Sequence, residues 1–186
     1  MPYPIDRESV AEELGFGGIT ANSMDAVSDR DFLLDFHAAS SICAMHLSRL
    51  AEELVLWSAD EFAFIRMNDD YTTGSSIMPQ KRNPDFAEIA RGKTGRMYGN
   101  LIGLLTTMKG LPLTYNRDMQ EDKEGIFDTV DAILTTIRVA TAMISTMQID
   151  ADRMRAAAEN SHALATDVAD YLVAKGMPFR EAHGIV

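Results

Sequence analysis

Apolar residues return every three or four positions along most of this chain, and that period predicts helices. Between residues 28 and 57 the series is Phe32, Phe36, Ala39, Cys43, Leu47, Leu50, Leu54 and Trp57, one continuous stripe. Ser28, followed by Asp29 and Asp31, marks its start. A second long helix starts near residues 83–85 and runs to about Lys109. Asn83-Pro84 supplies an N-cap and first-turn pair, with Asp85-x-x-Glu88 as a competing capping box. Gly110-Leu111-Pro112 stops it. A third long helix runs from about Asp118 or Gln120 to Met147. There Ile126, Val130, Ile133, Ile137, Ala140, Ile144 and Met147 step by four and three, a heptad seam.

Shorter helices are predicted at about 7–14, after Asp6 as cap, and at 152–158 and 163–174. Residues 60–64 predict a helical turn, and 179–183 the first turns of another helix. Lys175-Gly176 is the stop signal before it. Residues 19–25 and 65–84 read as loops. Strand signals are nearly absent. The fold class expected is all-α, a long-helix bundle with the start of a smaller helical C-terminal domain, divided as 1–150 and 151–186. Each long helix spans about 25–30 residues, or roughly 40 Å. Stripes of that length want partners, from further sequence or from other subunits. Gly92, Gly95, Gly99 and Gly103 cost about 1 kcal/mol each inside a helix. At helical spacing they suggest a face where another helix backbone approaches closely; simple tolerance is the alternative.

Composition narrows the function classes. The 186 residues carry a formal net charge of −11, which argues against a general nucleic-acid or anionic-membrane surface. A small anionic substrate held by local cations stays open. Cys43 is the one cysteine, so no intrachain disulfide can form, consistent with a reducing compartment. With no leader pattern and no membrane-length apolar run, cytoplasmic is the expectation. His37 and His46 lie on a helix, where packing or surface roles are commoner than metal ligation. No metal-ligand spacing accompanies them, and no metal site is expected.

The concentrated chemistry lies in Gly74-Ser75-Ser76-Ile77-Met78-Pro79-Gln80-Lys81-Arg82-Asn83-Pro84. Its glycine, prolines and hydroxyls mark a loop. A serine becomes a base or nucleophile only where its alkoxide is stabilised. Lys81 and the helix start that follows bring positive charge, and with Asn83 they suit a carboxylate. Gly74 reads as a hinge for closure over a ligand. Tyr115, Gln120 and Lys123 put a hydroxyl, an amide and a cation around the start of the third helix. A flexible connector and a solvated first turn, with Glu121 and Asp122 as dipole-complementary acids, are the plain alternatives.

Gly74-Ser75-Ser76-x-Met78-Pro79-x-Lys81-x-Asn83-Pro84 resembles the signature of the fumarase/aspartase superfamily. Gly110-Leu111-Pro112-x-Thr114-Tyr115-Asn116-x-Asp118-x-Gln120-Glu121-Asp122-Lys123-Glu124 is similar to the argininosuccinate lyase family within it. So are Phe16-Gly17-x-Ile19-Thr20-x-Asn22-Ser23-Met24-Asp25-Ala26 and the stretch from Ala165-Thr166-Asp167 to Glu181-Ala182-His183. The resemblance implies reversible elimination of argininosuccinate to arginine and fumarate, with no metal or organic cofactor. It implies Ser75 as base and Lys81 as stabiliser of the carbanion. Ser76, Asn83, Tyr115, Gln120 and Lys123 become the implied substrate contacts. It also implies a homotetramer whose active sites are shared between subunits, with no nucleic acid and no membrane as partners. The family uses a further histidine on an earlier segment, which nothing here matches; His37, His46, His162 and His183 align elsewhere. The expectation is an internal piece of the family sequence. A non-enzymatic, crystallin-like or oligomerising role is the alternative. Another superfamily lyase, acting on adenylosuccinate, aspartate or malate, is the third reading.

Overall fold

Several helices begin where a side chain or a preceding carbonyl meets their first free amides, and these caps fix their boundaries. A computed structural model describes residues 3–159 and 164–186. His162 and the predicted helix start at 163 lie outside the described residues. Asp6 accepts the Ser9 N–H at 3.1 Å and opens α1 (Arg7–Glu13). Asn22 accepts the amides of Met24 and Asp25 at 3.0 and 3.3 Å and opens α2 (Ser23–Ser28). This short helix occupies part of the stretch expected as a loop, because Asn22 acts as its N-cap. Asp29 is extended and accepts the Asp31 N–H at 2.7 Å, so the long helix α3 (Asp31–Ser58) starts three residues later than expected.

The connection after α3 carries two tiny ladders. β1 (Ile65–Arg66) pairs antiparallel with β4 (Gln148–Ile149), and β2 (Thr73–Gly74) pairs with β3 (Arg82–Asn83). Between β1 and β2 lies a single 3-10 turn, Asp69–Tyr71. Residues 60–62 form the expected single turn, where Ala63 N–H reaches the Ala59 carbonyl at 2.7 Å. α4 spans Asp85–Met108, and its first turn bonds to the Pro84 carbonyl, from Ala87 N at 3.0 Å and Glu88 N at 3.1 Å. Asn83, expected as the cap, belongs instead to β3. A 3-10 turn, Arg117–Glu121, leads into α5 (Asp122–Thr146). The three long helices have 28, 24 and 25 residues. Then come α6 (Ala151–Glu159), α7 (Ala165–Ala174) and α8 (Phe179–Ile185). Gly176, at φ +97°, lets the chain reverse after α7, where Met177 N–H reaches the Leu172 carbonyl at 3.2 Å. The fold is all-α, a long-helix bundle with a smaller helical region near the C-terminus.

The chain forms two compact units. Unit 1 comprises residues 1–46 and 93–135, and unit 2 comprises 47–92 and 136–186. In unit 2, Ala51 and Leu54 of α3, Ala87 and Ala90 of α4 and Ala140 and Met143 of α5 close on Ile65 and Met67. In unit 1 much of the buried row is small or polar, with His37, Ser40, Ser41 and Ala44 of α3, Thr94 of α4, and Thr129 and Ala132 of α5, beside the apolar Met97, Leu104, Met119 and Ile133. The Thr94 hydroxyl donates to the Ala44 carbonyl at 3.2 Å, which lets these helices meet without an unsatisfied hydroxyl.

This shifts the stripes from those expected. On α5 the buried residues are Asp122, Thr129, Ala132, Ile133, Thr136, Ala140 and Met143, while Ile137 and Ile144 are exposed. On α3, Phe32, Phe36 and Leu50 are exposed and His37, Ser41 and Ala44 take their place inside. The glycines of α4 face no close helix either: a Cβ at Gly92, Gly95, Gly99 or Gly103 would have nothing within 4 Å. No helix among the described residues is long and apolar enough to cross a membrane.

Candidate active site

Loop 75–81 closes on the β2–β3 ladder at the head of α4. Its sequence fixes its local shape. Ser75 Oγ accepts the Met78 N–H at 3.1 Å and the Ile77 N–H at 3.3 Å, and Lys81 N–H bonds to the Met78 carbonyl at 3.0 Å. Ser75 N–H reaches back to the Lys81 carbonyl at 3.4 Å. Ser75 is half-buried, and Ser76 through Lys81 are exposed. Two amides aimed at one serine oxygen favour negative charge on it. Gly74, expected as a hinge, is paired in β2, and a Cβ there would meet only Arg82 Nη1, at 3.9 Å. Asn83 is half-buried and its Nδ2 donates to the Thr73 carbonyl at 3.5 Å. All four predicted loop residues, Ser75, Ser76, Lys81 and Asn83, belong to unit 2.

One flank of this loop borders a groove of about 690 Å³, lined in part by Arg66, Asp69, Gln80, Arg82 and Asp150. Ser75 and Lys81 do not line it. It offers mixed charge beside the loop, with none of the reactive groups inside.

Tyr115, Gln120 and Lys123 belong to unit 1. All three side chains are exposed. Tyr115 follows Thr114, which sits at φ +80°; Gln120 lies on the 3-10 turn whose Met119 is buried, and Lys123 is in the first turn of α5. Thr114 N–H bonds to the Met24 carbonyl at 3.2 Å, so the 22–26 motif and the 110–124 motif meet. A second tie comes from Arg30, between α2 and α3: its Nε donates to Asp122 Oδ2 at 2.5 Å. Lys123 Nζ reaches Asp122 Oδ1, also at 2.5 Å. Asp122 is therefore not a solvated first-turn acid; its side chain is 2 % exposed. Burial pushes its carboxyl up, but hydrogen bonds and charge from Lys123 and Arg30 outweigh that and hold it below the usual carboxylate range. Arg30 escaped sequence reasoning because its partner is 92 residues away and no local period links them.

A third polar group was not anticipated. His37 is 1 % exposed, with Nδ1 3.2 Å from Thr129 Oγ1. Asn100 Nδ2 donates to the same hydroxyl at 3.0 Å and to Asp128 Oδ2 at 2.8 Å, and Arg96 Nε meets that oxygen at 2.7 Å. The Asn100 hydrogen bond is the largest influence on Asp128; burial opposes it, and the hydrogen bond and charge of Arg96 with the charge of Lys93 tip the balance, holding the carboxyl below the usual range. These residues border a groove of about 560 Å³ within unit 1. His46 and His183 are exposed. Among the described residues no group of three or more His, Cys, Asp or Glu side chains is arranged to hold a metal ion.

Known proteins resemble this chain throughout. The family described as "Lyase" matches residues 1–99, and the one described as "Argininosuccinate lyase C-terminal" matches residues 162–186. The argininosuccinate lyase of Symbiobacterium thermophilum is 61 % identical over 184 residues, covering 99 % of this chain and 40 % of the relative. That of Moorella thermoacetica is 61 % identical over 183 residues, covering 98 % and 39 %. The crystal structure of an EDDS lyase in complex with formate superimposes with a TM-score of 0.86 at 30 % identity, over 98 % of this chain and 36 % of that one. The chain thus spans about 40 % of the length of the curated relatives it matches.

Proposed function

The chain belongs to the lyase family, and from that premise we propose that it carries catalytic segments of an argininosuccinate lyase, which eliminates fumarate from argininosuccinate and leaves arginine. The observation that carries this reading is the identity of 61 % with argininosuccinate lyases along essentially the whole chain. The loop geometry supports the roles.

Ser75 acts as the base. The two amides on its oxygen stabilise the alkoxide that removes a proton from the carbon beside a substrate carboxylate. The electron pair left behind delocalises into that carboxylate, and the ammonium of Lys81 offsets the growing charge. Return of the pair forms the carbon–carbon double bond and breaks the bond to the guanidino nitrogen, which takes up a proton as it leaves. Ser76, Asn83, Tyr115, Gln120 and Lys123 hold the substrate. The working form is a homotetramer in which subunits share active sites, in the cytoplasm, and helices α6–α8 begin a smaller domain near residue 151.

The test is fumarate release from argininosuccinate by this chain, alone and mixed with the N-terminal part of a relative such as that of Symbiobacterium thermophilum. Turnover in either preparation is expected. There Ser75→Ala lowers kcat by about 10²–10⁴-fold, and Lys81→Met by about 10²–10³-fold. No fumarate from either preparation, or full activity in Ser75→Ala, overturns the assignment.

A further inference from the structure

The reactive loop hangs on very little backbone. Its neck is a two-rung ladder, Thr73 opposite Asn83 and Gly74 opposite Arg82, and so short a ribbon is marginal by itself. Side chains must therefore tie it to something rigid. The Thr73 hydroxyl donates to Oδ2 of Asp85. Asp85 is the first residue of the 24-residue α4, whose Ala87 and Ala90 are anchored in the unit 2 core. From the opposite strand, Asn83 Nδ2 holds the Thr73 carbonyl at 3.5 Å. Thr73 is thus the point where ladder, opposing amide and helix meet, two residues before Ser75. Arg82 and Asp69 approach only to 3.7 Å, each side chain 57 % exposed, and contribute little beside the direct hydroxyl–carboxylate bond that Thr73 makes, itself from an exposed position.

We propose that Thr73 is a positioning residue, clasping the neck of the Ser75 loop to the head of α4 through Asp85. The proposal rests on the reading of Ser75 as base. Losing the clasp leaves the bonds of Ser75 to Ile77 and Met78 intact but frees the whole neck to move against α4. The proton-abstracting geometry then suffers, while contacts elsewhere still hold substrate.

Thr73→Val keeps the shape and removes the hydroxyl; Thr73→Ser keeps the hydroxyl. Amide hydrogen exchange on the chain reads the clasp without any turnover. Thr73→Val is expected to speed exchange across residues 74–83 by about tenfold or more, with α3 and α5 unchanged. Thr73→Ser stays near the wild type. Asp85→Ala mimics Thr73→Val, and the double variant adds nothing further. In a preparation that forms fumarate, Thr73→Val lowers kcat by about tenfold with little change in KM, and Thr73→Ser restores it. Unchanged loop exchange in Thr73→Val, or an equal rise through the unit 2 core, overturns the clasp. A wild type that forms no fumarate, together with faster loop exchange in Thr73→Val, sinks the lyase reading and leaves the clasp standing.

Discussion

His37 has one ring nitrogen tied to Thr129 and the other, Nε2, without a hydrogen-bond partner among the described residues. A proton added there would be a buried charge with no acceptor, and burial lowers the pKa of this imidazole below its ordinary 6.5. The unfolded chain therefore takes up a proton as pH falls through 6.5, while the folded chain resists. Stability is complete above that pH and declines below it. Asp122 and Asp128 also titrate lower when folded, but their contribution is lost only as pH falls below their ordinary 3.8, so the two windows are separate. The urea midpoint of the wild type is expected to drop between pH 7.5 and 5.5. That of His37→Leu, which fills the site with an apolar side chain, should drop less. Equal slopes for the two proteins would show that His37 is not the group responsible. Nothing in the local sequence distinguishes this histidine from His46 on the same helix. Its partner Thr129 lies 92 residues away, and burial at helix contacts is a tertiary property.

Helix positions were legible to within a few residues because they depend on local caps and stops. Gly110 and Gly176 stop helices at positive φ, and Asp6 opens one with its side chain. Which face of each helix goes inside was less legible. Apolar periodicity marks every greasy face, whereas the contacts inside unit 1 use Ser, Thr and Ala that scan as polar or neutral. The candidate segment was legible as a loop from its glycine, prolines and hydroxyls, but the pairing of Gly74 with Arg82 at its neck is non-local and left no mark in the sequence. The attachment of α6 is another feature made by non-local contacts. Arg153 donates from Nε to the Phe62 carbonyl at 2.5 Å and from Nη2 to Glu61 and Asp60 at 3.3 and 3.4 Å. It collects the carbonyls that follow α3 and supports the β1–β4 ladder, where Asp150 N–H meets the Phe64 carbonyl at 2.8 Å. Arg153→Ala is expected to cost about 1 kcal/mol, an exposed charge-assisted contact being weaker than a buried one. The Asp150 amide should exchange faster. Arg153→Lys should recover only part, since an ammonium lacks the planar fork that spans three carbonyls. A protected Asp150 amide in Arg153→Ala would refute the attachment.

At the scale of the whole molecule, unit 1 buries small and polar residues beside Met97, Leu104, Met119 and Ile133, while other large apolar side chains remain outside. Phe32, Ile42, Ile102 and Phe127 are between 58 % and 66 % exposed. Each such side chain loses about 1.5–3 kcal/mol of burial it would gain against another apolar surface. Exposed large apolar side chains in this number suit association. The glycines of α4 agree, since Gly95, Gly99 and Gly103 leave room that no part of this chain fills. The partner expected is a second copy, as the proposed homotetramer requires. Sedimentation of the chain at micromolar concentration should therefore give species larger than 20.5 kDa. Phe127→Asp or Ile102→Asp should shift them toward the monomer, with helix content by circular dichroism unchanged, because both positions lie outside the core. Introducing a methyl at Gly99 separates the two origins of the glycine stripe. Within one chain Gly99→Ala meets nothing and should raise helix stability by about 1 kcal/mol. If a second copy packs its backbone there, the same change weakens association while the monomer becomes more stable. A wild type that sediments as a monomer, or a Gly99→Ala that leaves association untouched, would assign the stripe to tolerance of weak helix formers and remove its support for the shared active site.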